Sequence, residues 1–292
     1  MSFMAKTYNQ LGLIGCGLMG GSLALALKRA QLVRHVVGYS KSPSTTARAR
    51  QMGVIDTEAQ SAMQACAGSD LIVLAVPVAA TAELFKTIRQ FVQADALTMD
   101  LGSTKQDVVQ AAEKLLGWNA QYFVPAHPIA GKERSGVEHA DAALYQGAKV
   151  VLTPTPATDL NKVQQAQALW TALGAQVQVM SALEHDSALA AVSHLPHLVA
   201  FAYVNSLLSQ RDSEQLLSLA GPGFRDFSRI AAGDPVLWRD VLLANRTEVA
   251  GRLRELVLCI QQFQRALHAQ DAQALEKLIA SASRARGQWQ QH

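Results

Sequence analysis

The stretch Leu11-Gly-Leu-Ile-Gly-Cys-Gly-Leu-Met-Gly-Gly-Ser22 constrains this 292-residue chain more than any other. A short apolar run, Leu11–Ile14, has the character of a buried strand and leads into a G-x-G-x-x-G pattern at Gly15, Gly17 and Gly20. A helix, read as Ser22–Ala30, follows. The three glycines serve different needs. Gly15 permits the tight turn, Gly17 lets backbone approach a pyrophosphate, and Gly20 lets the helix pack on the strand. The free N–H groups and positive dipole end of the helix then face the phosphates. The pattern predicts a dinucleotide site built from Gly15, Gly17, Leu18, Met19 and Gly20. Val76 and Pro77 join it, at the end of the apolar strand Leu71–Val76.

The first half continues as alternating strands and helices. Strands are expected at Val33–Tyr39, Leu97–Asp100, Tyr122–Pro125, Ala148–Leu152 and Ala175–Met180, with helices at Thr45–Gln51, Thr81–Phe91 and Lys105–Leu116. This alternation predicts an α/β domain with a Rossmann-type, doubly wound parallel sheet. After Met180 the strand signals stop. Ser181 with Glu184 three residues on marks a helix start, and Val236–Leu267 has apolar residues at helical spacing. We therefore divide the chain into a dinucleotide-binding domain, residues 1–181, and an all-helical domain, residues 182–292. The aliphatic surplus of the second domain predicts burial against a second copy, hence a homodimer. The polar, basic segment Ser281–His292 is expected to fray.

Charge narrows the partners. The formal net charge is +3, from 26 basic and 23 acidic side chains. No nucleic acid is expected, because a phosphate backbone is met by a concentrated basic face; a small anionic substrate needs only one or two cations. No apolar run reads as a membrane span, so no membrane partner is expected. Cys16, Cys66 and Cys259 are odd in number and widely separated, which suits a reducing cytoplasm and argues against disulfides or zinc.

The residues after the second strand bear on which nicotinamide binds. NAD sites place a carboxylate there for the ribose 2′-hydroxyl. This chain has Gly38-Tyr-Ser-Lys-Ser-Pro43 instead. Ser40 and Lys41 can hydrogen-bond and neutralise a 2′-phosphate, with Arg48 or Arg50 nearby, so the reading favours NADP over NAD.

Three further segments combine glycine, proline and polar residues as active-site segments do: Met99-Asp-Leu-Gly-Ser-Thr-Lys105; Pro125-Ala-His-Pro-Ile-Ala-Gly-Lys-Glu-Arg-Ser-Gly136; and, among the helices, His185-Asp186, Ser193-His-Leu-Pro-His197 and the run Gly221-Pro-Gly-Phe-Arg-Asp-Phe-Ser-Arg-Ile-Ala-Ala-Gly-Asp-Pro-Val-Leu-Trp238. In this order the motifs resemble the prephenate/arogenate dehydrogenase (TyrA-type) family, from the glycine turn to at least Asn245. The resemblance implies oxidative decarboxylation of prephenate, or of its amino relative arogenate, on the route to tyrosine. Hydride leaves the ring carbon bearing the 4-hydroxyl for NAD(P), and loss of the ring carboxylate as carbon dioxide makes the ring aromatic.

By that resemblance His127 is the catalytic histidine. Its neutral imidazole, with an ordinary pKa near 6.5, suits acceptance of the hydroxyl proton, and Pro128 is expected to fix its loop. Ser103 would hydrogen-bond the same hydroxyl and the histidine, adjoin the cofactor, and cap the helix at Lys105–Leu116. Arg229 would hold a carboxylate bidentately. Gripping the leaving carboxylate would favour the ground state, so its role is binding and orientation. His197 and Trp238 would line the pocket around the substrate side chain. Arg225, close to Arg229 in the sequence, is a further substrate-binding candidate, and Glu133 fits a gate or ion-pair role. A metal held by His194 and His197 lacks a third ligand, and the reaction needs none.

Two alternatives compete with this reading. Other β-hydroxyacid or imine-reducing dehydrogenases of this plan rely on a lysine in the helical domain, where only Lys277 stands, far from any glycine-rich motif. A non-catalytic dinucleotide sensor would have lost His127, Ser103 or Arg229. The chain has room for neither a chorismate mutase fusion nor an ACT domain, so any tyrosine feedback is expected at the active site.

Overall fold

The computed structural model describes residues 5–132 and 134–289. Its strands are β1 (Tyr8–Ile14), β2 (Val33–Tyr39), β3 (Thr57–Glu58), β4 (Leu71–Leu74), β5 (Leu97–Asp100), β6 (Phe123–Val124), β7 (Ala126–Ile129), β8 (Lys149–Leu152) and β9 (Gln176–Val179). The helices of the first half are α1 (Leu18–Arg29), α2 (Pro43–Gln51), α3 (Ala62–Cys66), α4 (Val78–Ile88), α5 (Gln106–Leu115) and α6 (Leu160–Ala172). The second half holds α7 (Ala182–Leu189), α8 (Leu195–Leu208), α9 (Ser213–Ser218), α10 (Pro222–Ser228), α11 (Pro235–Ala244), α12 (Arg246–His268) and α13 (Ala272–Gln288).

Six strands form one parallel sheet in the order β3-β2-β1-β4-β5-β6. The strand order reverses between β1 and β4, and the crevice at their carboxyl ends is where such sheets bind ligands. Every residue of β4 and β5 is buried, as expected of central parallel strands covered on both faces. Leu13, Leu23, Leu27, Leu71 and Trp170 lie in the core on one side, and Ile72, Leu74, Phe85 and Phe123 in that on the other.

The parallel sheet is not the whole of the first domain. The run expected as one strand at Tyr122–Pro125 divides at Pro125, which has no N–H for a ladder. Phe123–Val124 ends the large sheet, whereas β7 starts a second sheet, antiparallel to β8, which is parallel to β9. His127 and Pro128 therefore stand in a strand, not a loop. Helix α1 also begins four residues earlier than expected, at Leu18, because the turn needs only Gly15–Gly17.

The helical half starts where Ser181 and Glu184 predict, with both arms of a capping box formed. Helices α7 and α8 run on through a π-helical turn at Ala190–His194. The continuous helix Ala182–Leu208 is long and apolar enough to cross a membrane, with mean hydropathy 1.4 over its best window; the sequence reading expects no such span. Its first turns, however, dock on the sheet domain through His185 and Asp186. The helical period expected across Val236–Leu267 is broken at Asn245, which turns its side chain inward between α11 and α12. The fraying expected from Ser281 is not found among the described residues, since α13 stays helical to Gln288.

Candidate active site

The glycine turn is shaped for a phosphate-bearing ligand. Gly15 sits at φ +100°, against the Ala75 carbonyl, a conformation open to glycine and strained for other residues. A side chain at Gly20 would overlap Gly15 and Ala75, so this glycine lets α1 seat on β1 and the end of β4. At Gly17, by contrast, an added Cβ would meet nothing within 4 Å. That open space adjoins the first turn of α1, which no side chain caps. Uncapped amides beside an open glycine fit the pyrophosphate of a dinucleotide. Leu18 and Met19 form this turn, and the Met19 carbonyl is pinned by the Tyr145 hydroxyl at 2.7 Å. Val76 and Pro77 lead from β4 into α4.

The edge of this crevice carries Ser40 and the exposed Lys41. The Ser40 Oγ accepts from the Cys16 N–H at 2.9 Å, and its own N–H donates to Thr46 Oγ1 at 3.0 Å. Ser40 therefore ties β2 to the glycine turn, and its hydroxyl also engages the buried Cys16 thiol.

At the ends of β5 and β7 the site becomes polar and sealed. Lys105 is fully buried; its ammonium pairs with Asp100 and donates to the Ala126 carbonyl at 2.9 Å. Asp100 also accepts from the N–H groups of Gly102 (2.9 Å) and Ala126 (3.2 Å). The pair thereby fixes the start of the strand that carries His127.

His127 is 9% exposed. Burial, then the neighbouring His185, Lys105 and His194, push its pKa well below 6.5, so the ring is neutral. Its Nδ1 lies 2.8 Å from His185 Nε2, and His185 Nδ1 lies 2.7 Å from Asp186 Oδ1. Asp186 accepts further bonds from the N–H groups of Lys105 and Gln106, both 2.9 Å. Burial raises the Asp186 pKa, but the bonds from His185, Gln106 and Lys105 outweigh it and hold the carboxyl below its usual range. The cap of α5 is thus a carboxylate from 80 residues on, and the capping expected of Ser103 is not seen. The half-buried Ser103 stands between Gly102 and α5 without a hydrogen bond to His127 among the described residues.

The helical side adds a run of rings. His194 is buried, which pulls its pKa down to about 4 against the opposing charge of Asp186. Asn245 donates to His194 Nδ1 at 3.0 Å and to the Asp186 carbonyl at 2.7 Å. Trp238 meets His194 edge-on, with centroids 6.3 Å apart, and stacks on His197 at 3.5 Å. His197 Nδ1 donates to the Ser193 carbonyl at 2.8 Å, which leaves Nε2 as the ring nitrogen available to a ligand. Its pKa is lowered by burial and, after the opposing Ser193 bond, by the nearby Arg229 guanidinium. The structure thus brings Arg229, His197 and Trp238 together and links them through His194 and Asn245 to the group behind His127. Arg225 is exposed on α10, one turn before Arg229. Glu133 lies outside the described residues.

His185, Asp186, Lys105, Asp100 and Asn245 carry no assigned role in the sequence. The local sign is an adjacent His-Asp pair one turn after the Ser181 cap; the contacts that give it meaning span 58 to 81 residues.

Comparison with known proteins places this geometry. The nucleotide-binding domain of prephenate dehydrogenase matches residues 23–179, and its dimerization domain matches residues 181–281. Prephenate dehydrogenase of Bacillus subtilis (strain 168) is 34% identical over 275 residues, covering 92% of this chain and 73% of the relative. The crystal structure of prephenate dehydrogenase from Aquifex aeolicus in complex with hydroxyphenyl propionate and NAD+ is 34% identical, with TM-score 0.89, over 98% of this chain and 99% of that one. Arogenate dehydrogenase of Synechocystis is 26% identical, with TM-score 0.81, over 95% and 99% of the two chains. With both domains matched in order and most of its length aligned, the chain belongs to the prephenate dehydrogenase family.

Proposed function

We propose that this protein oxidatively decarboxylates prephenate, arogenate or both, with NAD(P) as hydride acceptor, in tyrosine biosynthesis. The observation that carries the reading is a sealed, neutral His127 whose Nδ1 is tied to His185 and whose Nε2 has no hydrogen-bond partner among the described residues. A base of this kind can take the proton of the ring hydroxyl as that carbon is oxidised. Ser103 donates to the same oxygen and orients it. Arg229 grips a substrate carboxylate from the helical side, while His197, stacked on Trp238, lines the side-chain pocket. Arg225, exposed one turn before Arg229, adds a second positive charge on that side, and Glu133 keeps the gate or ion-pair role that the family resemblance implies. When bound along Gly15–Gly20, Ser40 and Val76–Pro77, the nicotinamide supplies the hydride acceptor. Loss of the ring carboxylate as carbon dioxide restores aromaticity and makes the step irreversible.

NADP is the favoured cofactor on this reading, because the exposed Lys41 stands where a carboxylate would repel a 2′-phosphate. The division into residues 1–181 and 182–292 assigns the cofactor to the sheets and the substrate side chain to the helices. A homodimer is supported by the apolar side chains that the helical half leaves exposed, among them Val192, Leu208, Leu243, Leu258 and Ile260. Sedimentation of a single-chain mass would contradict it. A cytoplasmic setting agrees with three free cysteines.

The test is direct. Purified protein is given prephenate or arogenate with NADP or NAD, and reduced nicotinamide is followed by absorbance. One combination at least should yield it; silence in all four would remove the enzymatic reading.

A further inference from the structure

We propose that Asp186, acting through His185, sets the tautomer of His127, placing its proton on Nδ1 and leaving the Nε2 lone pair for the substrate hydroxyl. The proposal deepens the reading of His127 as proton acceptor and rests on it. His185 and Asp186 are positioning residues here, since neither needs to touch substrate.

Donors and acceptors can be followed from the buried end outward. Asp186 is a carboxylate and only accepts. The amide N–H groups of Lys105 and Gln106 fill part of its capacity, and His185 Nδ1, at 2.7 Å, must donate to it. The N-terminus of α5 already shares the negative charge of Asp186, so nothing requires a second positive charge on His185. The neighbouring buried cation, Lys105, has its own counter-ion in Asp100. In the proposed arrangement His185 holds one hydrogen, on Nδ1 towards Asp186, and presents a lone pair at Nε2. That lone pair faces His127 Nδ1 at 2.8 Å, and two lone pairs cannot meet at this distance. His127 therefore carries its hydrogen on Nδ1. The alternative tautomer would put a hydrogen on Nε2 and leave no base for the hydroxyl.

The arrangement crosses the domain boundary. His127 is on β7, its support is on α7, and Asp186 is held from the sheet side by α5 and from the helical side by Asn245 on its carbonyl. Productive protonation of the base is thereby built only when the two domains are docked.

The discriminating substitution is Asp186→Asn. An asparagine amide can donate to His185 Nδ1, which reverses the polarity of both rings and places a hydrogen on His127 Nε2. Turnover should fall roughly 10²–10⁴-fold, the range for loss of a positioned base, with substrate KM changed little. His185→Gln offers His127 Nδ1 an amide oxygen whatever stands at 186, and should cost about tenfold or less. The double variant His185→Gln/Asp186→Asn should accordingly recover at least tenfold over Asp186→Asn alone, which a purely structural role would not produce. A double variant as slow as Asp186→Asn, or an Asp186→Asn enzyme as fast as wild type, overturns the proposal. Should Asp186→Asn fail to fold for want of its cap, His185→Leu replaces it: turnover equal to that of His185→Gln overturns the proposal, and a hundredfold deficit supports it. Nitrogen-15 NMR of the histidine-labelled wild-type enzyme reads the tautomer without any substrate, so it separates this proposal from the choice of reaction. A protonated Nδ1 on His127 is expected, and a protonated Nε2 overturns it.

Discussion

The imidazole of His197 lies flat on the indole of Trp238, with ring centres 3.5 Å apart and planes 22° from parallel. One edge of the imidazole is committed to the Ser193 carbonyl, and the positive charge of Arg229 reaches the ring. The stack gives Arg229 a rigid wall against which a carboxylate can be oriented, so grip and orientation are separable from chemistry.

Arg229→Ala should therefore raise substrate KM while leaving kcat within a few fold. A charged hydrogen bond is worth about 1.5–3 kcal/mol, which corresponds to a KM increase of roughly tenfold to a hundredfold. Steady-state kinetics decide the matter: a fall in kcat at constant KM would move Arg229 from binding into the chemical step.

His127→Asn should do the opposite. It removes the proton acceptor but leaves Arg229 and the glycine turn intact. Turnover should drop about 10²–10⁴-fold, with KM and cofactor affinity near their wild-type values. Unaltered turnover would refute the role of His127.

Lys41→Asp should shift cofactor preference from NADP towards NAD, since a carboxylate at that edge repels the 2′-phosphate and can accept from a ribose hydroxyl. The ratio of kcat/KM for the two cofactors is the readout. A ratio unmoved by the substitution would show that this edge does not read the 2′ position.

Lys105→Met should destabilise the fold by about 3–5 kcal/mol, because it strands the carboxylate of Asp100 in the interior. Lys105→Met combined with Asp100→Asn should regain part of the loss. Urea unfolding of the two variants and wild type measures this, and a double variant no more stable than the single one would argue against the pairing.

Acid should loosen the protein through His194. Its folded pKa of about 4 lies below the unfolded value of 6.5. Between these values the unfolded chain binds a proton that the folded chain refuses, so stability is fully present above pH 6.5 and falls as pH drops towards 4. The contribution is about 3 kcal/mol. His194→Gln should flatten the pH dependence of the urea midpoint in this window, and an unchanged slope would contradict the assignment.

The readable part of this molecule is the part written in local pattern. Gly15, Gly17 and Gly20 announce the nucleotide turn because each serves a short-range backbone need, and Ser181 with Glu184 announces α7 because a capping box closes within a single turn. His127, Arg229 and Trp238 stand out through motifs. The pairing of β7 with β8 is not legible, because a four-residue strand that contains Pro128 carries no clear period. Nor is the support of His127: the bonds to His185 and from Asp186 to α5 join residues that only the folded chain makes neighbours. Ser103 shows the same limit from the other side. A serine just before a helix invites a capping role, and a distant carboxylate takes it.

Asp186 accepts two amides at the start of α5 while its own carbonyl receives Asn245 from between α11 and α12. One residue thus works as a rivet through both layers of the enzyme. Opening the cleft between the sheets and the helices would have to break that fastening, and with it the support that His185 gives His127.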